Sequence, residues 1–331
     1  MELSENKIQP IDQSSNRSFT MKKIAIANGV EISALALGAC RASHEDTKVI
    51  MKKYMEAGGN VFDSARAYFD GEYDTFLGEC LREFGVRDKV NVCMKGCMPA
   101  SDDAMHISRL TKQDIKGDLE KSLMKAKLDY ADMYLLHRDD VKIPVSEIMP
   151  ALDELVKEGK TRVVGVSNWT GARIEQANRF AKENGLEPLS LCQMHYSLAE
   201  TTAAATGDIT HVPMSDVEYR WHTDNDFPIM AFASQGKGFF GKFEQGLEQN
   251  PFVYKYYGYF PENWKRAERA VELAKKYNTN ASAIVLAYVT QGKIRASALM
   301  GFSSVEQYEK SIDVLRINLT PEEISYLEKG E

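Results

Sequence analysis

Eight short apolar runs recur along the chain: 34–39 (ALALGA), 60–63 (NVFD), 90–94 (VNVCM), 133–137 (MYLLH), 162–167 (RVVGVS), 191–195 (LCQMH), 228–232 (PIMAF) and 296–301 (ASALMG). Their length and near-continuous apolarity are those of strands buried on both faces. Between them lie stretches with apolar residues at helical spacing: 44–57, 74–84, 112–126, 146–158, 170–184 and 305–315. These are long enough to be crossover helices. Upstream, KKIAIANGVEIS alternates around Asn28-Gly29, the signal of a β-hairpin.

Strand and helix alternating eight times predict an α/β fold, a (β/α)8 TIM barrel preceded by an N-terminal hairpin. The competing doubly wound sheet asks for a glycine-rich phosphate loop after its first strand. Gly38 opens no GxGxxG, so the barrel is preferred. The polar residues 1–20 are expected to form a tail, and 21–331 one domain ending in an extra helical segment. Two stretches are long for barrel loops, 197–227 and 236–262, the second rich in aromatics. Long loops after barrel strands shape the substrate mouth, and this role is expected of both.

Composition narrows the function. The 331 residues are 44% hydrophobic and 27% charged, ordinary for a globular protein. A net charge of −7 argues against nucleic-acid and anionic-membrane partners while leaving room for a small anionic ligand at a local basic site. No run reaches the roughly 18 apolar residues of a membrane span, and the first twenty residues lack the apolar stretch of a secretory signal. The five cysteines form no short CxxC, which fits a reducing, cytoplasmic setting. His211, Trp221 and His222 fall in the 197–227 stretch. No HxH or HExxH spacing supports a metal site. Trp221 is read either as lining the mouth or as closing a helix face onto the barrel. Nothing in the pattern marks an oligomer interface.

The candidate chemistry sits at strand ends. Asp63 ends one run, Tyr68 lies in the loop after it, Lys95 ends the next and His137 the one after. In a barrel these ends converge on one mouth. An ammonium beside a phenol stabilises the phenolate, and a carboxylate holds the ammonium charged. A histidine can orient a carbonyl or share its proton. Each residue has a plainer reading. Asp63 fits a helix cap, Tyr68 is one of fifteen tyrosines, and His137 fits a core histidine bonded to a backbone carbonyl. Lys95 is the hardest to explain away, since lysine is rarely buried unpaired.

The segments FDSARAYFDGEYDTFLGECL, ISRLTKQDIKGDLEKSLMKAKLDYADMYLLHRDD, LVKEGKTRVVGVSN and GFSSVEQYEKSIDVLRINLTPEEISYL, in this order and spacing, resemble the aldo-keto reductase family over about residues 22–328. The part from NPFVYKYYGYF onward resembles a bacterial branch. The resemblance implies a barrel that binds an extended nicotinamide cofactor, with Asp63, Tyr68, Lys95 and His137 as catalytic tetrad. Tyr68 would be the general acid in reduction and base in oxidation, its pKa lowered by Lys95. Ser167, Asn168 and Gln193 would hold the nicotinamide carboxamide, and Tyr196 would stack on its ring. Ser234, Gly236 and Gly238 would meet the diphosphate, with Lys237 a further charge nearby.

At the adenosine end the resemblance implies Ser303, Ser304, Gln307, Lys310 and Ser311. Relatives often carry an Arg or Lys for the 2′-phosphate where this chain has serines, and Lys310-Ser311 replaces a usual Glu-Asn pair. NADP(H) is expected first, with NAD(H) the alternative. The implied substrate is a small carbonyl compound or its alcohol: a sugar-derived aldehyde or ketone, a hydroxylated cyclic compound or a xenobiotic carbonyl. Two rivals come from other classes. One is a barrel lyase or epimerase using Lys95, which leaves the Ser167, Asn168 and Gln193 set unexplained. The other is a non-catalytic nicotinamide-binding regulatory subunit, which an intact tetrad opposes.

Overall fold

The computed structural model describes residues 21–99, 104, 107–246 and 251–331. The expected tail, 1–20, lies outside the described residues. A hairpin of β1 (Lys23–Ala25) and β2 (Glu31–Ser33) comes first. Its turn places Asn28 and Gly29 at φ 50° and 71°, closed by the Val30 amide donating to Ala27 O at 2.8 Å. Two consecutive positive φ values are what Asn-Gly supplies at low cost.

Eight parallel strands then close a barrel: β3 (Leu35–Leu37), β4 (Val61–Asp63), β5 (Asn91–Gly96), β6 (Ala131–Leu136), β7 (Thr161–Ser167), β8 (Cys192–His195), β9 (Ile229–Phe232) and β10 (Ala296–Met300). Each pairs with its neighbours in sequence, and β10 returns to β3. All eight apolar runs are strands. The expected helices are present over His44–Glu56, Glu72–Phe84, Lys112–Ala126, Val145–Lys157, Gly171–Asn184 and Val305–Ile312. Helices Pro261–Lys276 and Ala281–Gln291 complete the outer ring, and Pro321–Lys329 is the C-terminal addition.

Strand alternation divides the core in two. Leu37, Phe62, Met94, Leu136, Val166, Met194 and Ala231 face outward into the layer beneath the helices. Ala36, Val61, Cys93, Met133, Leu135, Val163, Leu191 and Met230 face inward, and Ile24, Val30 and Ile32 of the hairpin join them. The hairpin therefore plugs the N-terminal end of the barrel with apolar side chains. The C-terminal end is left to whatever occupies the next inward positions on each strand.

Candidate active site

Two residues further along each strand, the inward parity that fills the barrel with Val61, Cys93 and Leu135 delivers Asp63, Lys95 and His137. The same parity carries Leu191 to Gln193 and His195, and Met230 to Phe232. Seven-residue β7 ends on inward Ser167 by the same count from Val163. The polar layer is thus a direct continuation of the apolar one.

Asp63 and Lys95 are fully buried, and Lys95 Nζ donates to Asp63 Oδ2 at 2.5 Å. The other carboxylate oxygen accepts from Gln193 Nε2 at 2.8 Å. A lone buried ammonium or carboxylate would be neutralised or expelled, so each group depends on the other. Burial pulls the Lys95 pKa down, but Asp63 and then Tyr68 outweigh it and leave it above the usual lysine value. Lys95 is therefore a fixed positive charge.

Tyr68 opens a short turn, Tyr68–Gly71, anchored by its own amide donating to Ala65 O at 2.9 Å. The turn runs through left-handed backbone at Phe69 (φ 50°), Asp70 (φ 56°) and Gly71 (φ 80°). That conformation is uncommon for a phenylalanine and costs of order 1 kcal/mol or more. At Gly71 the left-handed φ itself favours glycine, and a Cβ there would also have to displace the Arg66 guanidinium, 2.1 Å away. The turn brings the Tyr68 ring to 4.8 Å from Lys95 Nζ, measured to the centroid. His137 meets it edge-on, with centroids 6.0 Å apart at 82°. Burial raises the Tyr68 pKa above that of free tyrosine, and Lys95 only partly offsets the rise. Lys95 pulls in the expected direction, but desolvation of the phenolate exceeds the ammonium's attraction. Burial, then Arg138 and Lys95, hold His137 well below its usual range, so its imidazole is neutral.

Ser167 and Asn168 follow at the end of β7. Asn168 takes φ 58°, which asparagine tolerates better than most residues. Its Nδ2 donates to Ser167 Oγ at 2.9 Å and to His137 O at 3.4 Å. Ser167 Oγ thus accepts one bond and keeps its hydroxyl proton to donate. Gln193, with its nitrogen committed to Asp63, keeps its carbonyl oxygen to accept.

Tyr196 lies elsewhere. Being odd to Gln193 and His195, it has the outward parity of Met194, and it is 5% exposed among the outer core residues. Its hydroxyl donates to Tyr288 at 3.3 Å, and its ring packs on Tyr219 and Tyr288. The aromatic at the mouth is Phe232, whose ring contacts His195 (5.2 Å) and His211 (5.8 Å).

Next to the mouth, Gly236, Lys237 and Gly238 have φ of 59°, 49° and 84°. Lys237 Nζ lies 4.9 Å from the Tyr256 ring centroid. Ser234 Oγ is buried and donates to Leu299 O at 2.8 Å, tying β9 to β10. The adenosine-end residues are occupied locally. Ser304 caps the helix Val305–Ile312, and Gln307 accepts from the Ser303 amide at 2.9 Å. Lys310 pairs with Glu306 at 2.7 Å, and buried Ser311 accepts from Gln235 at 2.8 Å.

The long loops divide. In the second, Phe239, Phe240 and Tyr257 are buried core, whereas Phe252 and Tyr259 are 53% and 70% exposed. In the first, Trp221 packs against Phe227 and the start of the helix at Gly171, where a Cβ would lie 2.3 Å away. It closes a helix face. Arg138, Asp208 and His211 were not singled out as a group by sequence; the signal available was the position of Arg138 directly after a strand-end histidine. Arg138 Nη2 donates to Asp208 Oδ2 and to His211 Nε2, both at 3.0 Å.

The aldo/keto reductase family model matches residues 29–330, and the chain belongs to that family. It is 26% identical over 330 residues to an aryl-alcohol dehydrogenase of Pestalotiopsis microspora, covering 93% of this chain and 81% of the relative. It is 27% identical over 324 residues to a norsolorinic acid reductase of Aspergillus flavus, covering 92% and 79%. It is 29% identical over 307 residues to an aldo-keto reductase of Gibberella moniliformis, covering 87% and 84%. These kinships support a carbonyl–alcohol oxidoreductase. Among the described residues, no helix is long and apolar enough to cross a membrane.

Proposed function

We propose that the chain interconverts an aryl carbonyl compound and its alcohol, using a nicotinamide cofactor, with Tyr68 as general acid and base. The observation that carries this reading is the buried Lys95–Asp63 pair beneath the Tyr68 ring. A phenol so placed is protonated at neutral pH, yet its phenolate is formed beside a fixed cation. It can give a proton to a carbonyl oxygen and take it back. Neutral His137, edge-on to the same ring, orients the carbonyl oxygen without competing as an acid. Asp63 keeps Lys95 charged, and Gln193 keeps Asp63 in place.

The cofactor fits the donor set. A carboxamide offers one acceptor and one amino group, matched by the Ser167 hydroxyl and the Gln193 carbonyl oxygen, with Asn168 orienting the serine. Phe232 offers an aromatic face at the inward end of β9, a role the core position of Tyr196 does not permit. The glycine-flanked turn at 236–238 and Lys237 suit a diphosphate. When bound, a nicotinamide supplies or accepts the hydride that no side chain can. At the adenosine end, Ser303, Ser304, Gln307 and Lys310 offer one cation, and Lys310 already faces Glu306, so both NADP(H) and NAD(H) are accepted. The aryl preference draws on the aryl-alcohol dehydrogenase among the relatives and on exposed Phe69, Phe252 and Tyr259 in loops that follow barrel strands.

The test is a titration with NADPH and NADH followed by turnover of benzaldehyde. Binding of both within about tenfold, roughly 1.4 kcal/mol, and turnover that Tyr68→Phe abolishes, support the reading. Binding of one cofactor alone keeps the reductase reading and settles the cofactor, whereas binding of neither removes it and returns Lys95 to the lyase alternative.

A further inference from the structure

One polar cluster at the mouth enters the chemistry above only through the effect of Arg138 on His137. Arg138 follows His137 directly and is 7% exposed. Its Nη1 donates to His137 O at 2.8 Å, while Nη2 spans Asp208 and His211. His211 Nε2 lies 3.0 Å from the Arg138 guanidinium, which has no acceptor, and 3.4 Å from Asp208 Oδ2; the shorter contact has Nε2 accepting, which leaves the His211 proton on Nδ1. Burial, followed by Arg138, lowers the His211 pKa to about 4, in keeping with that neutral tautomer. Two donors remain, Arg138 Nε–H and His211 Nδ1–H. Both atoms are buried and have no partner. Unfilled buried donors are a standing cost, and here they belong to two side chains already joined to each other and, through Phe232 and His137, to the reacting centre.

The charge around them is also unbalanced. Arg138 and Lys237 both act on His211, and Asp208 is the carboxylate that faces them.

We propose that Arg138 and His211 form a subsite for a carboxylate carried by the carbonyl substrate, with Arg138 setting the preference for acidic over neutral substrates. This rests on the reductase reading. Asp208 is then the resident competitor: it holds the guanidinium in place and limits how tightly a substrate carboxylate is gripped.

The experiment compares 4-carboxybenzaldehyde with its methyl ester, which keeps the ring and aldehyde and loses the charge. The readouts are kcat/KM and, by calorimetry, the dissociation constant of each compound. The wild-type protein should favour the acid. Arg138→Met should lower the acid-to-ester ratio about 10- to 100-fold, the range for losing a hydrogen bond to a charged group. Asp208→Asn keeps an acceptor for Thr210 but removes the competing charge, and should raise the ratio. A ratio unchanged in both variants overturns the subsite, whatever happens to absolute rates. If neither aldehyde is turned over, the reductase reading fails, and the ratio of dissociation constants still judges Arg138. A fall of acid and ester together in both variants leaves Arg138 and Asp208 as a loop clamp and likewise overturns the proposal.

Discussion

The two ends of the expected cofactor path are built differently. At the expected nicotinamide end, Asp63, Lys95, His137, Ser167 and Gln193 project from strand ends and are nearly or fully buried, and Asp63, Lys95 and Gln193 bond to one another across β4, β5 and β8. At the adenosine end, Ser303, Ser304, Gln307 and Lys310 sit on or beside one helix and bond within it. A buried polar group in a strand must find a partner from another strand, which fixes its position to the barrel. A group on an exposed helix is satisfied by its neighbours or by water, and its position says little about a ligand. The first end is therefore the sensitive one, and the predictions grade accordingly.

The largest effect is expected at Tyr68. Tyr68→Phe removes the proposed proton donor and should lower kcat for reduction by about 10²–10⁴-fold, with cofactor affinity little changed. Fluorescence titration beside steady-state kinetics separates the two. On the proposed mechanism the same tyrosine should set the pH profile. Its pKa is raised, so the acid form persists through the neutral range and reduction should be flat there. Oxidation needs the base form and should climb with alkaline pH. His137 is held neutral, so neither direction should show a limb near pH 6.5. A limb there, lost in His137→Gln, would mean the histidine titrates in the working enzyme.

Lys95→Met comes next, and its effect reaches stability. It leaves Asp63 as a buried charge with only neutral partners, Gln193 and Cys93, for support. Loss of one partner from a buried pair costs about 3–5 kcal/mol, to be read from denaturant unfolding. The double variant Lys95→Met/Asp63→Leu should recover much of that stability and none of the activity. If the single variant unfolds at the wild-type midpoint, the pair is not the buried couple described.

The sequence made the inner end legible because a strand's two-residue period passes unbroken from the apolar plug to the polar mouth. Asp63, Lys95 and His137 stand at strand ends in the pattern and in the fold alike. The same period, applied to LCQMHY, separates Tyr196 from Gln193 and His195. Resemblance to the family pointed to an aromatic, and parity shows that Phe232, not Tyr196, faces the mouth. What no local pattern carries is long-range company. Nothing near Arg138 in sequence announces Asp208 or His211, about seventy residues on. Nor does the aromatic density of 236–262 tell buried Phe239 and Tyr257 from exposed Phe252 and Tyr259, since core and mouth use the same residue types.

A third expectation concerns acid. Burial lowers His195 to about 3 and His211 to about 4, against about 6.5 for a free histidine. Below pH 6.5 the unfolded chain binds protons that the folded chain refuses. Stability contributed by these neutral histidines is thus full above about 6.5 and lost as pH falls towards 4 and then 3. His211→Gln should flatten the upper part of that loss in melting temperatures taken from pH 7 to 4.

The smallest effects belong to the outer end. Ser304→Ala deletes the cap of the helix Val305–Ile312 and should cost about 1 kcal/mol of stability. Lys310→Met removes an exposed charge already facing Glu306. If Lys310 is the only cation offered to a 2′-phosphate, its removal should weaken NADPH by less than about tenfold, since an exposed and screened charge contributes little, and should leave NADH unchanged. Titrating both cofactors against both variants sharpens the contrast. A large loss specific to NADPH in Lys310→Met would mean that the bound state draws this lysine off Glu306 and builds a phosphate site. The outer end would then be as specifically constructed as the inner one, but only with the ligand present.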